Sequence, residues 1–81
     1  MNVRVLFLGP SRDFARTDET SLSLDDGATV GQARRALASI YPGLGPALPT
    51  IRFAVNQAFV VDTVVLAEDD ELALIPPVSG G

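Results

Sequence analysis

Thr29-Val30-Gly31-Gln32-Ala33-Arg34-Arg35-Ala36-Leu37-Ala38-Ser39-Ile40 is the stretch on which the fold turns. Thr29 and Gln32 stand at the spacing of a capping box, in which each side chain satisfies an unpaired backbone N–H. Val30, Ala33, Leu37 and Ile40 follow at helical spacing and mark a core-facing stripe. Arg34 and Arg35 fall off that stripe and read as a solvated face. Tyr41-Pro42-Gly43 ends the helix, because the residue before a proline is pushed out of the α region.

Upstream of this helix the chain reads as strands. Val3-Arg4-Val5-Leu6-Phe7-Leu8 is rich in branched and aromatic residues and stops at Gly9-Pro10, as a buried strand does. Residues 11 to 18 are polar except for Phe14 and Ala15, so they read as a connection with one anchor. Ser21-Leu22-Ser23-Leu24 alternates as in a half-buried strand, and Asp25-Asp26-Gly27 is a turn signal. Downstream, residues 42 to 50 hold three prolines and two glycines, a loop that Leu44 and Leu48 could pin. Residues 52 to 56 form a strand, Asn56-Gln57 a turn, and Phe59-Val60-Val61 a short strand. Glu68-Asp69-Asp70 is an acidic turn before the last strand, Glu71 to Ile75.

One helix covers only one face of a sheet this size, so an α+β fold follows. The expected architecture is a mixed sheet of four or five strands with the main helix on one face. If the first and last strands lie side by side in the middle, they run parallel, and the helix sits in the crossover. That is the β-grasp, or ubiquitin-like, arrangement. It assigns residues 1–75 to a β-grasp domain and residues 76–81 to an extended C-terminal tail.

The tail, Pro76-Pro77-Val78-Ser79-Gly80-Gly81, ends in a carboxylate with no side chain near the reacting carbon. Glycine enters narrow slots, and the prolyl pair holds its neighbours extended. Six extended residues reach roughly 20 Å, enough to enter another protein's active site. The competing reading is a frayed end, since chain termini are commonly Gly/Ser-rich.

Composition removes most chemistry from the chain itself. It has no Cys, His or Trp, and its positive side chains are all arginine. Thiolate nucleophiles, disulfides, soft metal sites, imidazole bases and Schiff bases are thereby excluded. A net charge of −4 is a poor match for a nucleic-acid binder. No apolar run is long enough to span a membrane, and no signal-peptide pattern opens the chain, so a cytoplasmic protein is expected. The acidic groups Asp25-Asp26 and Glu68 to Glu71 read as solvated turns, with no metal site expected.

Alternation along the strands marks an outer face by its charges, Arg4 and Glu71. The same face carries Leu6 and Leu8 on the first strand and Ala73 and Ile75 on the last. Leu8 and Ile75 fall near the end from which the tail leaves, and Phe59 is placed to join them. An exposed apolar cluster beside a projecting tail suggests protein docking. The alternative is cover by the 11–18 or 42–50 loop.

The ending Pro76 to Gly81, Ala54-Val55-Asn56-Gln57, and the opening Val3 to Leu8 followed by Arg12 resemble the MoaD/ThiS family of ubiquitin-like sulfur carriers. The MoaD branch holds small subunits of molybdopterin synthase, and the Pro-Pro-Val run favours that branch over the carriers of thiamin or cysteine synthesis. The resemblance implies that an E1-like (MoeB-like) enzyme uses ATP to adenylate Gly81, with Gly80 giving slim access. A sulfur donor protein then converts the acyl-adenylate to a thiocarboxylate. The tail next enters a large, MoaE-like subunit, where sulfur passes to a cyclic pterin precursor. Leu8, Phe59 and Ile75, with Pro76, Pro77, Val78 and Ser79, are the implied partner contacts. On this reading the chain binds no cofactor, no metal, no nucleic acid and no membrane. Acidic residues near the tail would suit a basic surface on the activating enzyme. A third class remains open: a β-grasp binding module or protein modifier that carries no sulfur.

Overall fold

A computed structural model describes residues 1–77. The strands are β1 (Asn2–Phe7), β2 (Glu19–Ser23), β3 (Arg52–Val55), β4 (Ala58–Val60) and β5 (Glu71–Ile75). They form one sheet in the order β2-β1-β5-β3-β4. β1 and β5 are parallel neighbours at its centre, with Val5 opposite Leu72 and Leu6 opposite Ala73. The other pairings, β1 with β2, β5 with β3, and β3 with β4, are antiparallel. The expected β-grasp arrangement is therefore present.

Helix α2 (Val30–Ile40) starts as the capping box predicts. The Gln32 backbone N–H donates to the Thr29 hydroxyl at 3.2 Å, and the Thr29 N–H donates to the Gln32 side chain at 2.8 Å. Val30, Ala33 and Leu37 are buried against Val3, Val5 and Phe7 of β1, Phe53 of β3, and Leu72 and Leu74 of β5. Each of the larger side chains contributes on the order of 1.5–3 kcal/mol through burial. This is the inner face expected from alternation.

The structure differs from the sequence reading at four places. Ile40 is 55% exposed and leaves the stripe, whereas Tyr41 sets its ring edge-on to Phe7 at 5.3 Å between centroids. The backbone turns at Tyr41, so the aromatic ring closes the core where a further helical residue would have stood. The 11–18 connection contains a short helix, α1 (Ser11–Ala15), that buries Ser11 and Ala15 and leaves Phe14 exposed. Ser11 is tolerated inside because its hydroxyl donates to the Leu8 carbonyl. Residues 42–50 wind as a 3₁₀ helix, Pro42–Thr50, and Leu44 and Leu48 bury as expected. Proline's restricted φ suits these tight turns, which is why a proline-rich stretch reads as a loop.

The fourth difference concerns Arg34, which is not a solvated residue. Its guanidinium carbon lies 4.5 Å from the Phe53 ring centroid. It donates to the Leu48 carbonyl at 2.7 Å and to Asp62 at 2.9 Å, tying α2 to the 3₁₀ helix and to the segment after β4. Its aliphatic stem gains from packing while its charged end stays paired.

Candidate functional site

The sheet face turned away from α2 carries the candidate site. Strand register builds it: Leu6 lies opposite Ala73, Ala73 opposite Ala54, and Ala54 opposite Phe59. These four residues form a row across four adjacent strands. A second row starts at Leu8, whose N–H donates to the Leu74 carbonyl at 3.2 Å, and continues through Ile75 to its partner Arg52. The two alanines have no bulk to rise from the sheet and are almost covered. They floor a shallow trough, with Leu6, Leu8 and Ile75 on one side and Phe59 on the other.

Leu8 is 43% exposed and Phe59 55% exposed, while Ile75 is half-buried. The 3₁₀ helix packs on α2 and α1, on the opposite side of the sheet. Cover by that loop is excluded as the reason for the apolar face, and α1 leaves Leu8 and Phe59 open. The structure thus brings together the three residues that alternation singled out. Leu6 and Ala73, which alternation put on the same face, complete the rows, and the structure adds Ala54 and Arg52, which alternation did not select. Alternation gives the face of each residue, and only register gives its cross-strand neighbour.

The tail begins at the same end. Pro76 is half-buried and Pro77 exposed. Gly9 takes φ +54°, and a Cβ there would lie 3.3 Å from the Pro76 Cγ. The chain therefore leaves β5 by passing closely over the turn that follows β1, a passage that suits glycine. Val78, Ser79, Gly80 and Gly81 lie outside the described residues.

The acidic turn sits elsewhere. Glu68, Asp69 and Asp70 precede β5, whereas the tail leaves its far end, about 13 Å away at strand rise. Glu68, Asp69 and Asp70 thus occupy the opposite pole, where Glu68 and Asp70 brace the backbone, while Asp18 and Glu19, beside the end of β1, are acidic residues on the tail's side. Glu68 accepts the Asn2 N–H at 3.0 Å, Asp70 accepts the Ala67 N–H at 2.8 Å, and Glu71 pairs with Arg4 at 2.7 Å. Among the described residues no group of three metal-ligating side chains is gathered. No helix among them is long and apolar enough to cross a membrane.

A model of the ThiS family matches residues 5–81, nearly the whole chain. The chain belongs to the ThiS family. It is 36% identical over 83 residues to the molybdopterin synthase sulfur carrier subunit of Chlamydomonas reinhardtii, with both chains covered in full. The crystal structure of SAMP1 from Haloferax volcanii is similar at a TM-score of 0.90 and 28% identity, again over the whole of both chains. A chain in the complex of subunits 1 and 2 of molybdopterin-converting factor from Helicobacter pylori 26695 matches at a TM-score of 0.74. It is 27% identical and covered in full, as is this chain. Within this ThiS-family architecture, the trough and the root of the tail share one end of the sheet.

Proposed function

We propose that this chain is the sulfur carrier subunit of molybdopterin synthase, acting in molybdenum cofactor biosynthesis. One observation carries the reading: the open apolar face of Leu8, Ile75 and Phe59 adjoins the strand end from which the tail departs. A partner that grips this face receives the tail beside its grip. The whole-length likeness to a named sulfur carrier subunit supports the same reading.

In this scheme the Gly81 carboxylate attacks the α-phosphate of ATP on an E1-like enzyme and expels pyrophosphate. A sulfur donor protein supplies sulfur that displaces AMP, leaving a thiocarboxylate. Docked on the large subunit, the thiocarboxylate transfers its sulfur to cyclic pyranopterin monophosphate. A carboxylate accepts sulfur only after it gains a leaving group, and this chain has no thiol, imidazole or lysine amine to assist. The catalytic groups therefore belong to the partners, and the chain is a co-substrate that is gripped and aimed. The compartment proposed is the cytoplasm.

Intact mass spectrometry tests the scheme, using the chain incubated with the activating enzyme, ATP and a sulfur donor. Replacement of one terminal oxygen by sulfur adds about 16 Da. The loaded chain with a large subunit should then produce molybdopterin. An unchanged mass overturns the reading. The likeness to H. volcanii small archaeal modifier protein 1 favours one second reading, a protein modifier. An isopeptide-linked adduct in the same experiment would select it.

A further inference from the structure

Arg52 stands inside the apolar face rather than at its edge. It pairs with Ile75 across the β3–β5 ladder, and its guanidinium carbon lies 3.9 Å from the centroid of the Phe59 ring. Two of the proposed anchors thus flank it, and a partner that covers both Ile75 and Phe59 covers Arg52 as well. The side chain is exposed, and no carboxylate among the described residues lies within ion-pair distance of it. Arg4, Arg12 and Arg34 each have an acidic partner, whereas Arg16 and Arg35, which stand outside this face, have none among the described residues.

A guanidinium seated over an aromatic ring gains from the ring's face while N–H groups stay available to an anion. Little side-chain freedom remains to be lost when a planar anion meets the guanidinium fork. A cation stripped of water without a counter-ion is strongly disfavoured, so a surface that seals this face must answer the charge. The chemistry that matches a planar fork of donors is a carboxylate, bound through two parallel hydrogen bonds.

The geometry points to Arg52 as the charged anchor of the docking face, binding an Asp or Glu carboxylate of the partner protein between the Ile75 and Phe59 contacts. This rests on the reading of the outer face as the surface that docks the large subunit. It adds a specificity element to an otherwise apolar contact: like surfaces without the acid would bear an uncompensated cation.

Binding of the purified large subunit is measured by calorimetry across a salt series, for the unaltered chain and for Arg52→Met, Arg52→Lys and Phe59→Asp. Thermal melts confirm that each variant is folded. Arg52→Met keeps an apolar stem on Phe59 and is expected to weaken binding about tenfold or more and to flatten its salt dependence. Arg52→Lys restores the salt dependence but only part of the affinity, because a point charge lacks the fork. Phe59→Asp abolishes binding if the outer face docks at all. Loss in Phe59→Asp with unchanged affinity in Arg52→Met overturns the Arg52 assignment alone. Weaker binding of Arg52→Met with an unchanged salt slope also overturns it, since that pattern reports repacking of Phe59. Unchanged binding by Phe59→Asp overturns the docking face itself.

Discussion

The side-chain oxygen of Asn56 accepts the backbone N–H of Glu71 at 3.0 Å, fastening the β3–β4 turn to the start of β5. The Asn56 N–H returns the bond to the Glu71 carbonyl at 2.9 Å, and its side-chain amide donates to Asp70 at 2.9 Å. Asn56 and Gln57 both hold positive φ, 50° and 73°, as a tight hairpin turn of this hand requires. The Ala54-Val55-Asn56-Gln57 motif is therefore explained by folding rather than by chemistry. It places Ala54 opposite both Phe59 and Ala73, and so builds the trough.

Replacing Asn56 by Ala removes the side-chain bonds and leaves a β-carbon residue in a left-handed conformation. A loss of about 2 kcal/mol is expected from these two effects together. Asn56→Gly relieves the backbone and should cost about 1 kcal/mol less than Asn56→Ala. Urea unfolding of the two variants measures the difference, and equal midpoints would refute the strain component.

Arg34 offers a sharper contrast. Arg34→Met keeps the stem on Phe53 but removes the charge-assisted bond to the Leu48 carbonyl, which retains the Ile51 N–H, so a loss of about 1.5–3 kcal/mol is expected. Asp62→Asn touches only the outer end of the same network, where Asp62 is 53% exposed, and should cost less than about 1 kcal/mol. For a domain this small, the first change lowers the melting temperature by roughly 4–8 °C per kcal/mol. An equal loss for the two variants in thermal melts would show that the ion pair, not the carbonyl bond, carries the contribution of Arg34.

Leu8→Asp alters an exposed side chain and should leave the melting temperature nearly unchanged. Its expected effect is on binding of the large subunit, weakened about 30-fold or more if Leu8 is an anchor. A pull-down with the purified subunit, repeated with Ile40→Asp on the far side of the molecule, checks that the effect belongs to this face.

A single residue added after Gly81 should leave the fold and the docking affinity intact while abolishing the gain of about 16 Da on incubation with the activating enzyme, ATP and a sulfur donor. Sulfur loading of the extended chain would remove the terminal carboxylate from the scheme.

Strand and helix assignment was legible where a single period dominates. The alternation of Val3, Val5 and Phe7, the box of Thr29 and Gln32, and the apolar last strand all appear as read. The reading failed where one residue serves two elements at once. Arg34 looks solvated by helical spacing, yet Phe53 and Leu48, which lie beyond the helix, determine its environment. Ile40 looks buried by the same spacing, yet the helix ends and Tyr41 closes the core in its place.

The order of residues is enough to state which chemistry this chain lacks, which face of each strand turns inward, and that it closes on two glycines. Those properties are local, carried by side-chain type and by periods of two or 3.6 residues. The assembly of Leu8, Ile75, Arg52 and Phe59 into one surface is of another kind. It depends on pairing β1 with β5, whose facing residues Arg4 and Glu71 are 67 positions apart, and on the register of two further strands. A slip of one residue would turn each apolar side chain to the other face. Packing of the whole core beneath α2 selects that register, which is why the docking surface exists only in the folded chain.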